Sequence, residues 1–411
     1  MQFGDALIYV VSFFGLYTAI YCFLILLETG GNRERKVWKV WPKVCVCVPC
    51  FNEESRVGRT LDSLLALNYP KQCLQIIAVD DGSTDGTWKV LAPYRNKGVI
   101  VLRKKNGGKH TALNLALEHT DADFGALDAD SIVLPDALRK VMSRFTSGKV
   151  MAVTPSMKIH KPRGILRRVQ STEFIMGILM REFFTFLGSQ HVTPGPFTIF
   201  RREFFVKYGK YRRAHLTEDI EMALRIQSKD FVIENASDAY VYTHGPDTFR
   251  ALYRQRLRWY YGFISNLLDY RFLFSPRKHG NLGLFVLPTS LLSIVVVLTV
   301  MGYTVARAGR SLWLHLTNAF AVDFDIWRMF SWNWDAFFVT TKPAMLLAWT
   351  GFVVSVVLFL IARSLSGEKT YRRSYIFFVG FYWILYGFWW MAAIVHKVLG
   401  MHVSWFSKDE T

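Results

Sequence analysis

The chain has 411 residues, enough for two or three domains; 51% are hydrophobic, 16% are aromatic, and the formal net charge is +18. Long apolar runs combined with this basic excess exclude a single soluble domain and a simple nucleic-acid binder, which would carry the charge without the runs. The Lys and Arg runs flank the apolar segments, so anionic membrane lipid is their expected partner and nucleic acid is not.

Four segments have the roughly 20 apolar residues needed to span a bilayer. They run from about Ala6 to Leu27, Leu282 to Ala306, Pro343 to Ala362, and Tyr375 to Val398. The first is too long for a signal-peptide core and lacks a basic leader and a small-residue cleavage site, so it is expected to be retained. Arg33, Arg35, Lys36, Lys39 and Lys43 follow the first span, and Arg363, Lys369, Arg372 and Arg373 lie between the third and fourth. The positive-inside rule puts both regions in the cytoplasm, with residues 29–281 between them and both termini outside. Arg307 and Arg310 are a mild exception. The expected organisation is an N-terminal membrane helix (1–30), a cytoplasmic domain (31–281) and a membrane region of three spans (282–411).

Within the cytoplasmic part, residues 44–49 predict a β-branched strand that ends at Pro-Cys-Phe-Asn-Glu. A helix with Val57, Leu61, Leu64 and Leu65 on one face follows. A second strand, 74–79, stops at Asp80-Asp81-Gly82-Ser83. Residues 85–95 predict a helix, 99–102 a strand, 109–119 a helix, and 124–127 a strand ending on Asp128-Ala129-Asp130. This alternation predicts βαβ units and a parallel sheet, with ligands bound beyond the carboxyl ends of the strands. Asn52 and Glu53, Asp80 and Asp81, and Asp128 and Asp130 therefore converge on one rim. No Gly-x-Gly-x-x-Gly follows the opening strand and there is no Walker loop, which excludes a dinucleotide fold of that kind. Cys47 and Cys50 have half of a zinc spacing without a second pair, and Cys45 and Cys47 read as small buried strand residues.

Residues 165–187 and 252–268 are apolar but carry too many charges to span, and predict helices lying along the membrane face. The segment 307–342, with Trp327, Trp332 and Trp334, is read as an outer loop resting on the bilayer.

Each polar motif has two readings. Asp128 and Asp130 can hold a hard divalent cation through oxygen, or simply form a turn. Asp80 and Asp81 can accept hydrogen bonds from a base or ribose, or form an Asx turn in which Asp85 caps the next helix. Thr217 can cap a helix whose dipole Glu218 and Asp219 complement, or Asp219 can be a general base. Lys109 is a phosphate contact or a solvated side chain. Gln255, Arg258 and Trp259 are an amphipathic face, or a diphosphate contact and a sugar-stacking ring.

Taken in order, these motifs resemble the membrane-integrated family 2 glycosyltransferases, which include hyaluronan, cellulose, chitin-oligosaccharide and poly-N-acetylglucosamine synthases. The matching text is Val-Pro-Cys-Phe-Asn-Glu (48–53), Val-Asp-Asp-Gly-Ser-Thr-Asp (79–85), Asp-Ala-Asp (128–130), Thr-Glu-Asp (217–219) and Gln-Arg-Leu-Arg-Trp (255–259). The resemblance covers residues 44–270 and implies an α/β, Rossmann-like GT-A domain inserted between about four spans, with amphipathic interface helices. It implies an inverting hexosyltransferase in which Glu53, Asp80 and Asp81, with Phe51, hold the nucleotide and Lys109 contacts its side of the site. Asp128 and Asp130 then serve the sugar and a Mg²⁺ or Mn²⁺ ion, and Asp219, with Glu218, is catalytic. Gln255, Arg258 and Trp259 close the acceptor and diphosphate end. Gly195-Pro196 and Phe200-Arg201-Arg202 match a family stretch in which Tyr is common where Phe200 stands.

The expected donor is a UDP-sugar, namely UDP-N-acetylglucosamine. The expected acceptor is a growing glycan extruded across the plasma membrane. Transfer of one sugar to a lipid-linked acceptor is the alternative, and a non-catalytic transporter or receptor a remote one.

Overall fold

The computed structural model describes residues 3–29, 34–321, 343–368, 372–401 and 403. Four strands, β1 (Val44–Cys50), β2 (Leu74–Asp80), β3 (Ile100–Arg103) and β4 (Asp123–Ala126), pair in parallel in the order β3-β2-β1-β4. Three helices lie between them, α2 (Val57–Leu65), α3 (Thr87–Leu91) and α4 (Lys109–Glu118). Strand β1 shows why this half of the fold was legible. Val44, Val46 and Val48 pack with Val57, Leu61 and Leu64 of α2 on one face. Cys45 and Cys47 pack with Ala112, Leu113 and Ala116 of α4 on the other. The period of two thus buries both faces, and the cysteines are free and buried as expected.

The sheet is larger and less regular than the sequence predicts. Strands β5 (Ile132–Val133), β6 (Val150–Ile159), β7 (Ile199–Phe200) and β8 (Val232–Thr243) extend it as β4-β7-β6-β8-β5. Here β7 is antiparallel to both β4 and β6, and β5 is antiparallel to β8, so the sheet is mixed rather than wholly parallel. Buried Thr154, Ser156 and Lys158 interrupt the apolar pattern of β6, and the β6–β8 register shifts at Pro155–Ser156. That is why sequence periodicity missed these strands. The helix expected over 85–95 is α3 followed by a 3₁₀ segment, Ala92–Lys97, because Pro93 has no N–H to donate.

Helices α5 (Ala137–Ser143), α7 (Arg202–Tyr208) and α8 (Glu218–Gln227) complete the layers. Two longer helices, α6 (Gly164–Phe186) and α9 (Phe249–Asp269), lie where interface helices were expected. After the short α10 (Pro276–Asn281) come α11 (Leu287–Ala321), α12 (Pro343–Ser366) and α13 (Arg372–Val398); α1 (Phe3–Thr29) precedes the sheet. Among the described residues, four helical stretches are long and apolar enough to cross a membrane: Gly4–Ile25, Pro276–Asn318, Met345–Ser366 and Ser374–Val398.

Residues 307–321 continue helix α11 and are not the start of a loop. Arg307 and Arg310 are good helix formers, and a single Gly309 costs only about 1 kcal/mol. Trp327, Trp332 and Trp334 lie outside the described residues.

Helix α6 is sandwiched between the sheet and the spans. Ile175 and Leu179 meet Phe359 and Ala362 of α12, and Phe183 meets Cys22 and Ile25 of α1. Helix α9 runs against α13 through ring pairs such as Tyr260–Trp390, with centroids 4.4 Å apart. Lys397 also donates to Ser265 Oγ at 2.9 Å. The apolar helices therefore pack onto the α/β domain through α6, α8 and α9, in clusters separate from the two that cover the sheet.

Candidate active site

The carboxyl ends of β1, β2 and β4 open into a cavity of about 1270 Å³. It is the topological switch point of the sheet, where β1 has β2 on one side and β4 on the other. Of the residues singled out in the sequence, Phe51, Glu53, Asp81, Lys109, Asp128 and Asp130 line it from the sheet side. Glu218, Asp219, Gln255, Arg258 and Trp259 line it from α8 and α9.

Asp80 does not line the cavity. Its side chain is fully buried, its Oδ1 accepts from Ser83 N at 2.9 Å, and its Oδ2 pairs with Arg103 at 3.1 Å. It therefore braces the Asp-Gly-Ser turn from beneath. Asp81 is the member that faces the cavity. It is held by Lys104 Nζ at 2.6 Å and by the amides of Gly107 and Gly108 at 3.1 and 2.9 Å. Gly82, at φ +78°, permits this close approach, since a Cβ there would stand 2.7 Å from Asn106 N. Lys104 was not singled out in the sequence, because a lysine in a polar loop carries no pattern of its own. Asp85 forms the Asx turn, with Oδ1 accepting from Thr87 N at 2.9 Å, but the N-cap of α3 is Gly86 and not Asp85.

Asp128 and Asp130 lie two and four residues beyond the end of β4, leading into a turn, so strand alternation is not what directs both carboxylates into the cavity. The turn is held from outside. Ala129 O accepts from Thr60 Oγ1 at 2.7 Å, and Asp130 O lies 2.8 Å from His244 Nδ1. Burial, together with the nearby charges of Asp130 and Asp128, pushes the Glu53 carboxyl up to about 7. Burial and Asp128 raise Asp130 as well. This pole carries more negative charge than its own cations neutralise.

Lys109 is the central cation. Its Nζ lies 2.8 Å from Asp128 Oδ1 and 3.0 Å from Glu218 Oε1, joining the Asp-x-Asp turn to the Thr-Glu-Asp motif. Burial alone would favour loss of its proton, but Asp128 and Glu218 outweigh that and hold it above the ordinary lysine value. Gly195 makes room, since a Cβ there would lie 2.9 Å from this ammonium. Burial and the charge of Glu218 raise the Asp219 carboxyl to about 6, although Lys109 and Arg258 pull it down. A carboxylate with that pKa is a competent base near neutral pH.

Thr217 does not cap α8 as its position suggests. Its hydroxyl lies between Ala214 O and Asn266 Nδ2, at 3.2 and 2.8 Å. Arg256, inside the Gln-Arg-Leu-Arg-Trp motif, was also missed. It is 1% exposed, pairs with Glu173 of α6 at 2.5 Å, and sits 4.2 Å from the centre of the Trp259 ring. Beyond Trp259 the cavity continues between the membrane helices, past Thr289, Ser290 and Ser293 of α11 and Tyr386 and Trp390 of α13.

A mixed α/β sheet with acidic turns at its rim, packed onto membrane-length helices, is the architecture of a Rossmann-like, GT-A type domain. Residues 45–209 match the sequence model of the family described as Glycosyl transferase family 2. The poly-beta-1,6-N-acetyl-D-glucosamine synthase of Staphylococcus aureus (strain COL) is 31% identical over 263 residues, covering 62% of this chain and 63% of that protein. The chain thus spans a little under two thirds of that relative's length. The synthase of the same name from Staphylococcus epidermidis is 28% identical over 327 residues, covering 76% of this chain and 78% of its own. Among solved structures, a mannosyltransferase from Pyrobaculum calidifontis in complex with GDP-Man and Mn²⁺ superposes with a TM-score of 0.58. It is 18% identical and covers 97% of this chain and 99% of its own, a likeness of fold.

Proposed function

We propose that this chain is an inverting, membrane-embedded hexosyltransferase that adds sugars from UDP-N-acetylglucosamine to a growing polysaccharide and passes the product through its own helices. In this reading residues 1–30 anchor the chain, 31–281 form the cytoplasmic catalytic domain, and 282–411 form the membrane passage in the plasma membrane. One observation carries the proposal. A single cavity runs from the acidic rim past Trp259 to hydroxyl and aromatic side chains on α11 and α13. Such a lining suits a sugar chain, whose faces stack on rings and whose hydroxyls need partners. The two Staphylococcus synthases favour N-acetylglucosamine as the sugar.

Phe51, Glu53 and Asp81 hold the uridine end, and Asp80 supports the Asp81 turn from below. Asp219 accepts the proton of the acceptor hydroxyl as its oxygen attacks the anomeric carbon, and the diphosphate leaves on the opposite face, inverting that centre. Gln255 and Arg258 face the diphosphate, and Trp259 stacks on the acceptor sugar.

The acidic pole fits a divalent ion. Among the described residues no three His, Cys, Asp or Glu groups converge to form a protein-only metal cage. Asp128 and Asp130 supply two carboxylates, which suits Mg²⁺ or Mn²⁺ completed by phosphate oxygens. Such an ion would neutralise charge on the departing diphosphate. The donor should therefore raise the thermal midpoint of the purified chain with Mn²⁺ or Mg²⁺ present and lose most of that effect in EDTA. A shift that is the same with and without EDTA would remove the metal role.

Incubating membranes that contain the chain with labelled UDP-N-acetylglucosamine and sizing the product tests the proposal. A ladder of long glycans is expected. A product of one sugar on lipid would replace the polymerase reading with single transfer.

A further inference from the structure

Immediately before Thr217, three consecutive residues adopt the left-handed conformation although none is glycine. Ala214, His215 and Leu216 have φ of +46°, +53° and +68°. For L-residues each such step is disfavoured by roughly tenfold, and it normally occurs singly. A run of three persists only where the surroundings over-determine it.

Those surroundings belong largely to one element, α9. Asn266, 1% exposed, donates through Nδ2 to Ala214 O at 3.2 Å and to Thr217 Oγ1 at 2.8 Å. Arg258 Nη1 donates to Leu216 O at 3.1 Å. His215 Nε2 meets Asp269 Oδ2 at 2.9 Å, an exposed pair that adds little. Gly262, one turn before Asn266, brings the two segments together, since a Cβ there would stand 2.3 Å from Thr217 Oγ1. The turn leads directly into α8, so its conformation sets where Asp219 stands. On its far side, the Asp219 carbonyl is fixed by Thr193 Oγ1 at 2.6 Å.

We infer that Asn266 is a positioning residue for sugar transfer: it clamps the left-handed turn Ala214–Leu216 and so holds Asp219 in place for the acceptor hydroxyl. The inference rests on Asp219 being the base. Asn266 is not among the residues that line the cavity. It acts through backbone geometry, whereas Arg258 also faces the acids of the site. Without the clamp, the turn relaxes toward right-handed backbone and α8 begins elsewhere. Glycine, which accepts positive φ freely, removes the need for the clamp.

Four variants of the full chain, purified in detergent, test this: Asn266→Ala, Ala214→Gly, the two combined, and Asp219→Asn. Asn266→Ala should lower kcat about tenfold or more while leaving the affinity for UDP-N-acetylglucosamine within twofold. Ala214→Gly alone should raise the thermal midpoint, and in combination it should restore several-fold of the lost kcat. Loss of kcat and donor affinity together, or no recovery with glycine, would overturn the inference. So would a wild-type kcat for Asn266→Ala where Asp219→Asn is inactive. If Asn266→Ala does not accumulate, a lowered thermal midpoint for Ala214→Gly is itself sufficient to overturn it. Full activity of Asp219→Asn would instead remove the base assignment on which the inference stands.

Discussion

Replacing Asp219 by Asn should reduce sugar transfer about 10³-fold, the scale of a lost general base, while donor affinity changes little. The amide keeps the size and the backbone contacts of the side chain but accepts no proton. In the native chain, Asp219 is flanked by Glu218, Lys109 and Arg258, and its carboxyl is raised to about 6 by burial and the charge of Glu218. A carboxyl of that pKa is ionised above it, so with Asp219 in the proposed role of base kcat should rise with pH through about 6 and then level off. The acid limb should disappear from the residual activity of Asp219→Asn.

Stability should move the opposite way. A carboxyl whose folded pKa is raised above its unfolded value of about 3.9 costs the folded state stability as pH rises from that value through about 6. The deficit persists above pH 6. The Asn variant has no such deficit, and its thermal midpoint at pH 7.5 should equal or exceed that of the native chain. Loss of activity together with retained stability would mark a functional residue, whereas a fall in both would mark a structural one.

Lys109→Met should be more damaging to the whole site. Its ammonium holds Asp128 at 2.8 Å and Glu218 at 3.0 Å, and methionine leaves both carboxylates without that cation. Stripping the partner from a largely buried ion pair costs about 3 kcal/mol, and here two acids lose it together. The expected result is a thermal midpoint lower by several degrees, weakened donor binding and transfer reduced by at least about 100-fold. Arginine should not rescue it. Its fork is larger than an ammonium, and the space beside Gly195 is already tight, with 2.9 Å between a built Cβ and Nζ. Native donor affinity in Lys109→Met would show that the lysine is no more than a structural tie. Equal loss in Lys109→Met and Gly195→Ala would support the packing argument, since the methyl group displaces the same ammonium.

The sequence by itself determined the membrane spans, the first half of the sheet and the order of the acidic motifs. These features are local. A span is a run of apolar residues, and β1 with its alternating Val and Cys declares two buried faces without reference to anything distant. The turns at Asp81 and Asp128 sit at strand ends, so their convergence on one rim follows from parallel strands alone.

What only the tertiary structure decided depends on partners far apart in the chain. The pattern of Asp80 and Asp81 does not separate them. Their roles divide because Arg103 takes one from below while Lys104 and two glycine amides present the other to the cavity. Strands β6 and β8 are invisible to periodicity because their polar residues are paired across the sheet, as Thr154 is with Asn235 at 3.0 Å. Arg256 under Trp259 and Asn266 under the left-handed turn act on residues that only folding brings to them. Sequence patterns record which face of an element is buried. They do not record which distant group supplies the charge or the hydrogen bond, and in this protein that supply is what places the cavity's acids and the Trp259 ring.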